Sequence, residues 1–353
     1  MEATTPAAFA LALRKAEEEG GLSAGEILDL LAPPDPEAEA ALREAADRAR
    51  ERHVGPAVHL RGIIEFSNFC TQNCLYCGLR RDNRFLVRYR MTPEEILEAA
   101  EAVQAAGIPT VVLQSGEDDW FTGERVAALV AGIRKRTHLA ITLSLGERTA
   151  EEFAEWRRAG ADRYLLKHET ASAARFRALR PGRDLAERLS ALDLLRRLNY
   201  EVGSGNMVGL PGQTAQDLAE DIRVFKERDY DMIGIGPFIP HPRTPLAGEK
   251  GGTLEATLRV LAVTRLLTRD TNLPATTATG VLDSRGRRSA LLSGANVIMP
   301  DLTPEKYRRR YEIYPGRATG KGDLREIETL ILSLGRKIGR GPGGRSPRAL
   351  ERP

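Results

Sequence analysis

With 353 residues, 42% of them hydrophobic, the chain is long enough for one large α/β barrel or two ordinary domains. Its 52 lysines and arginines against 49 acidic residues leave a net charge of only +3, which gives no basis for a nucleic-acid or membrane-surface partner. No apolar run approaches the roughly 20 residues of a transmembrane helix, and the N-terminus lacks a charged-then-apolar signal pattern, so the chain is expected in the cytoplasm.

Residues 1–56 are rich in Ala, Glu, Arg and Leu. Apolar positions such as Phe9, Leu13, Ile27 and Leu31 predict helices, broken near Gly20-Gly21 and at Pro33-Pro34-Asp35-Pro36. This extension is packing material, suited to capping the bottom of a barrel. From residue 57 a rhythm of short apolar runs and helical intervals begins. The runs are Ala57 to Phe66, Pro109 to Gln114, Leu139 to Leu145, Arg163 to Leu166, Val202 to Val208, Met232 to Phe238, Leu273 to Ala278 and Ala295 to Met299. Caps mark helix starts at Thr92, Thr149 and Thr214. Eight alternating units with near-continuous apolar strands predict an α/β fold, a TIM-like (β/α)8 barrel over residues 57–300, with an open doubly wound sheet as the competing architecture. Residues 301–353 form a closing segment with a basic tail; after Arg340 it is rich in Gly, Pro and Arg (Gly341 to Pro347) and is expected to be poorly ordered or laid on the surface.

All three cysteines of the chain, Cys70, Cys74 and Cys77, fall within eight positions directly after the first strand. A disulfide framework wants even numbers and spread spacing. A structural zinc site wants a fourth ligand, and His53 and His59 precede the strand, at its opposite end. A redox pair from Cys74 and Cys77 leaves Cys70 unexplained. An iron–sulfur cluster held by three thiolates, with one iron left open as a binding site, remains.

Cys70-x3-Cys74-x2-Cys77, with the aromatic Tyr76 before the last cysteine, resembles the radical S-adenosylmethionine (SAM) signature. The longer string from Glu65 to Asn83 resembles the HydE family of FeFe-hydrogenase maturases. The resemblance implies one 4Fe–4S cluster on the three cysteines, SAM chelating the open iron, and an oxygen-labile enzyme of an anaerobic cell. No thiol remains for the second cluster of biotin synthase or for the peripheral C-terminal cluster of some HydE proteins, so a single cluster is expected.

If the fold is a barrel, functional groups gather at the C-terminal strand ends. On residues alone these ends are weak signals: Ser115-Gly116-Glu117 is common turn chemistry, and Thr142 and Ser144, on one strand face, are ordinary core hydroxyls. Lys167 and Glu169 read as an internal ion pair, Arg188 as a solvated surface arginine, and Met232 and Met299 as core fillers. The resemblance implies more. It assigns Tyr76, Ser115, Gly116, Glu117, Ser144, Glu169, Arg188, Gly209 and Leu210 to SAM, and Gln114, Thr142, Lys167, Met232, His241, Thr276, Thr277, Met299 and Tyr311 to the substrate. The chain departs from the family at Lys167, where an arginine is general; lysine keeps the charge but not the planar fork, so bidentate carboxylate binding is not expected there. The implied substrate is a small molecule or organometallic precursor containing an iron-bound cysteine, and the implied partners are companion maturases and an external electron donor. Methylornithine synthase, a lysine mutase of similar plan, is the rival enzyme. A non-enzymatic iron–sulfur carrier is the rival of another class.

Overall fold

The computed structural model describes residues 4–18, 21–317 and 323–345. The strands are β1 (Ala57–Leu60), β2 (Gly62–Ser67), β3 (Thr110–Ser115), β4 (Ala140–Ser144), β5 (Arg163–Leu165), β6 (Glu201–Val208), β7 (Met232–Pro237), β8 (Pro274–Ala275), β9 (Val297–Ile298) and β10 (Lys337–Ile338). All pairings between them are parallel, β2 through β7 in sequence order and β8, β9, β1 and β10 alongside one another. Backbone hydrogen bonds join the two sets at both seams. Arg61 N and Ile63 N donate to Ile298 O and Pro300 O at 3.0 and 2.8 Å, and Ile233 N donates to Asn272 O at 2.9 Å. With β1 and β2 as one strand interrupted at Arg61, the eight predicted runs form the (β/α)8 barrel expected from the sequence.

Helices cover the strands, so β2 is buried along its whole length and its sequence, GIIEFS, shows little alternation. The capping residues act as predicted: Thr92, Thr149 and Thr214 each accept from the third residue of the following helix, and Glu95, Glu152 and Asp217 reach back in reciprocal capping boxes. The seventh run of the pattern ends early. The run expected to continue through Ala278 stops at Ala275, because Thr276 is extended (φ −64°, ψ 151°) and a helix starts at Thr277.

Two expectations about the termini are corrected. The N-terminal helices Pro6–Glu18, Ala24–Leu31 and Pro36–Val54 do not cap the lower end. They pack on the flank, against helices Ala215–Arg228 and Leu254–Thr268, with Arg259 paired to Glu39. The break at Pro33 to Pro36 is as expected, with Asp35 capping the third helix, while Gly20 of the expected glycine break lies outside the described residues. The lower end is closed instead by the C-terminal segment. After helix Leu324–Ser333, β10 pairs with β1, and the chain then crosses beneath the barrel. Gly343 O accepts from Arg61 Nη2 (2.9 Å) and Asn272 Nδ2 (3.2 Å), Pro342 O from Thr110 Oγ1 (3.0 Å), and Arg345 pairs with Asp229 (2.8 Å) and Asp270 (2.6 Å). Residues 341–345, expected to be poorly ordered or laid on the surface, are thus tied down by polar groups of the barrel floor; Ser346 and Pro347 lie outside the described residues.

Candidate active site

A cavity of about 330 Å³ opens at the C-terminal end of the strands and runs down the barrel axis. Its rim is the cysteine loop. That loop is held by backbone bonds to the segment after β3, to a helix end and to the C-terminal segment: Thr71 N donates to Glu117 O (2.9 Å), Leu75 N to Leu179 O (2.9 Å) and Gly78 N to Ile313 O (3.0 Å). A Cβ on Gly116 would strike Phe69 O, and one on Gly78 would strike Glu312 O, so both glycines let backbone approach backbone closely here.

Cys70, Cys74 and Cys77 are all unpaired and all line the cavity. Burial pushes the Cys70 thiol up to about 11 and raises Cys74 and Cys77 as well. Three thiolates in one buried loop repel one another, so their ionised form needs a cationic group between them. Among the described residues no three His, Cys, Asp or Glu side chains form a cage for one ion. A polynuclear iron–sulfur cluster suits this donor set better than a single zinc.

Beside the thiols lies a belt of arginines and carboxylates. Glu117 meets Arg180 and Arg183 at 3.4 Å each; Glu147 meets Arg183 at 3.4 Å and pairs tightly with Arg188. Burial alone would raise Glu147, but Arg188, with Arg180 and Arg183, pulls it below the usual carboxylate range. Arg188, far from being a solvated surface group, is 2% exposed and also donates to Lys167 O. Its Nη2 is buried with no partner, a donor pointing to an anionic group. Glu169 lines the same wall with φ 67°, a strained value for a non-glycine residue, held by Glu169 N to Gly205 O and Met207 N to Glu169 O, both 3.0 Å. Carboxylates, a free guanidinium donor and three thiols on one wall fit a cluster carrying an amino-acid-like ligand with both an ammonium and a carboxylate.

Deeper in the cavity the walls change character. Lys167 donates to Asn206 O (3.1 Å). Its side chain touches cavity space but is enclosed by the barrel, and burial pulls its pKa down from 10.5, with Glu169 opposing. Met232, Met299, Thr276 and Thr277 line this part, with Thr276 Oγ1 bonded to Ile235 O at 3.2 Å. Gln114 Nε2 donates to Tyr311 OH at 3.4 Å, and both line the cavity. Tyr76, Ser115, Gly116 and Ser144 complete the predicted residues that line the cavity.

Four predicted residues do not line it. Thr142 faces the barrel interior but belongs to a separate space of about 10 Å³ beneath, shared with Arg61, Arg163 and Glu201. Leu210 packs with Leu179 and Phe238 behind Tyr76, and the Gly209 and Leu210 amides are already taken by Gln213 Oε1, at 2.7 and 3.2 Å. His241 is 2% exposed behind Gly78, 3.6 Å from Glu312. Conversely, the cavity takes Arg180, Met207 and Arg317 as lining residues that were not singled out. Arg317 is anchored by a buried pair with Glu65 (Nε to Oε1 2.7 Å). The Arg180-Pro181-Gly182-Arg183 turn is a sequence feature that could have pointed to Arg180 and Arg183.

Comparison with known proteins agrees with this geometry. Residues 64–225 match the model of the radical SAM superfamily. The crystal structure of methylornithine synthase (PylB) superposes with a TM-score of 0.83 at 26% identity, covering 93% of this chain and 97% of that one. HydG, a maturase of the FeFe-hydrogenase, shares the fold, with a TM-score of 0.82 at 18% identity over 95% of this chain and 77% of its own. The FeFe hydrogenase maturase subunit HydE of Thermotoga maritima is 52% identical over 309 residues, 86% of this chain and 88% of the relative. At that identity and coverage, with the three thiols in place, the chain belongs to the HydE family of radical SAM enzymes, whose cofactors are a 4Fe–4S cluster and SAM.

Proposed function

We propose that the chain acts in maturation of FeFe-hydrogenase, applying SAM-derived radical chemistry to a small precursor that carries an iron-bound cysteine, on the way to the diiron subcluster. The observation that carries this reading is the continuity of one cavity from the three thiols, past Glu117, Glu169 and Arg188, to Lys167, Thr276 and Thr277. The cluster and SAM, when bound, supply a 5′-deoxyadenosyl radical by one-electron reductive cleavage of the sulfonium.

The chain's own residues bind, aim and exclude water. Cys70, Cys74 and Cys77 would hold the cluster. Glu117 and Glu169 would accept from the SAM ammonium, the unpartnered Nη2 of Arg188 would donate to its carboxylate, and the ring of Tyr76 with Ser115, Gly116 and Ser144 would shape the rest of its pocket. Leu210 acts from behind, by backing Tyr76, and Gly209 shapes the strand end beside it. Below, Lys167 would anchor a substrate carboxylate as a point charge, and the Thr276 and Thr277 hydroxyls would orient it. Gln114 and Tyr311, hydrogen-bonded to each other, would bound the substrate space, and His241 supports the cysteine loop through Gly78. This reading places the enzyme in the cytoplasm of an anaerobic cell, working with companion maturases.

The likeness to methylornithine synthase favours lysine rearrangement as the second reading. An anaerobic assay separates the two. The reconstituted chain, added with companion maturases to an apo FeFe-hydrogenase, is expected to restore hydrogen evolution, and lysine with SAM is expected to give no methylornithine. Methylornithine formation without hydrogenase activation would overturn the proposal. A cluster-loaded chain that neither binds nor cleaves SAM would make it an iron–sulfur carrier instead.

A further inference from the structure

We propose that the exposed face of residues 80–87, directly after the cysteine loop, is the docking surface for an acidic one-electron carrier protein that reduces the cluster. The inference rests on the radical SAM reading of the site and adds the partner's surface to it. Phe85 is 74% exposed and Val87 62%, large apolar side chains two positions apart on one loop. The loop that presents them is not slack. Arg88 threads beneath it and donates to Leu79 O (2.9 Å) and Arg80 O (2.7 Å). Asn83 donates to Gly78 O (2.7 Å) while its Oδ1 accepts from Phe85 N (3.2 Å), and the Arg243 guanidinium lies 4.3 Å over the Phe85 ring. A surface so pre-organised loses little freedom when a partner settles on it.

The charge around these two side chains selects the partner. Residues 80–87 carry three arginines against one aspartate, and that aspartate, Asp82, is occupied by Arg81 and Asn73. Arg84 is exposed and has no ion-pair or hydrogen-bond partner among the described residues, and the same holds for the Arg310 side chain. Arg310 is adjacent, because Asn68 Nδ2 donates to both Val87 O (2.9 Å) and Arg310 O (2.7 Å). An apolar centre rimmed by unpaired arginines is complementary to an acidic protein surface. The position selects the partner's job. Gly78 follows Cys77, so two hydrogen bonds of Asn83 link the peptide after the last thiol to the backbone of Phe85. At the docked face one electron leaves the reduced carrier and enters the cluster, with no bond or proton changing hands. Encounters of this kind need only a small patch.

The test uses reconstituted holoenzyme, an acidic plant-type 2Fe–2S ferredoxin as probe, and the variant Arg84→Glu/Phe85→Ala. Ferredoxin binding is measured by biolayer interferometry, and 5′-deoxyadenosine formation is followed with reduced ferredoxin and, separately, with dithionite. The variant is expected to bind ferredoxin about tenfold or more weakly and to lose the steep salt dependence of the wild type. Its ferredoxin-driven rate should fall by a similar factor while its dithionite-driven rate stays unchanged. Equal ferredoxin binding by wild type and variant overturns the proposal, as does a wild type that accepts electrons from dithionite but not from ferredoxin. A wild type that is dimeric where the variant is monomeric, by light scattering, also overturns it, because the face would then join two copies of this chain. Failure of dithionite itself to drive SAM cleavage by the loaded wild type would count against the enzymatic reading, and the binding data would still judge the docking face.

Discussion

At the upper end of the barrel Arg180 and Arg188 border a cavity of about 330 Å³, while at the lower end Arg61 and Arg163 border a space of about 10 Å³ sealed by the C-terminal segment. All four guanidiniums are buried, and desolvation is costly for each unless it is paired. The lower pair meets most of that cost with protein alone, leaving Arg61 Nε buried without a partner. Arg163 binds Glu201 at 2.6 Å, and Arg61 donates to Gly343 O at 2.9 Å and Met232 Sδ at 3.0 Å. Burial and the neighbouring Arg163 pull Arg61 down to about 9. The upper pair is met by Glu117 and Glu147 and also leaves donors unpaired, Nε of Arg180 and Nη2 of Arg188, but on residues that line open cavity space. The same residue type therefore builds a floor where the chain fills the space beside it and a binding wall where it does not.

The sharpest way to break this comparison is at the cysteine loop. Cys74→Ala is expected to abolish iron loading and reduce 5′-deoxyadenosine formation to background. Unfolding should change by only about 1 kcal/mol, because the substitution removes a small buried sulfur. A variant that still holds a 4Fe–4S chromophore and cleaves SAM would remove the thiol trio from the site.

Next in size is a matched pair of arginine substitutions. Arg188→Lys should weaken SAM binding about tenfold or more, roughly 1.4 kcal/mol, by calorimetry on the loaded enzyme, since the lysine loses the planar fork. Arg61→Met at the lower end should leave the SAM Kd unchanged and lower stability by about 1 kcal/mol, through the lost hydrogen bond to Gly343 O, which then keeps Asn272 Nδ2 as its donor. Equal effects of the two variants on SAM binding would mean that floor and wall are not distinct.

A smaller effect separates Lys167 from the arginine general in the family. Burial lowers its pKa below 10.5, so folding favours the neutral amine. Below the folded pKa the buried ammonium costs stability, and this cost is relieved as pH rises through the folded pKa toward 10.5. Binding runs the opposite way, because a substrate carboxylate needs the ammonium. Substrate KM should therefore climb as pH rises from neutral into the alkaline range for wild type, and stay flat for Lys167→Arg. A flat wild-type profile would take Lys167 out of the anchor.

Much of this was legible from residues in sequence order, for reasons that are local. Parallel strands covered on both faces write themselves as apolar runs, capping boxes close within four residues, and the three cysteines stand in one loop. What escaped depends on distance. Arg180, Arg183 and Glu147 become a belt only when loops far apart in the chain meet, and the closing of the floor by Gly343 and Arg345 joins residues more than a hundred positions from their partners Arg61 and Asp229. Gly209 and Leu210 stand at a strand end like the binding residues, yet Gln213, a few residues on, takes their amides. Alternation correctly gave Thr142 and Ser144 the same face, but alternation carries no height. Two residues along a strand span about 6.6 Å, enough to put Ser144 in the cavity and Thr142 below it.

That difference in height gives the finest test of the comparison. Thr142 is 1% exposed and its hydroxyl has no partner, whereas a threonine that bound substrate would keep its oxygen toward the cavity. Thr142→Val keeps the shape and removes an unsatisfied polar atom, so unfolding by denaturant should show no loss of stability and a gain of up to about 1 kcal/mol. Substrate KM and the rate of SAM cleavage should match wild type. Thr276→Val, at cavity height, should raise KM without changing the Kd for SAM. If Thr142→Val raised KM as much as Thr276→Val, the lower space would belong to the substrate path, and the barrel would have to be read as one continuous channel rather than as a site standing on a floor.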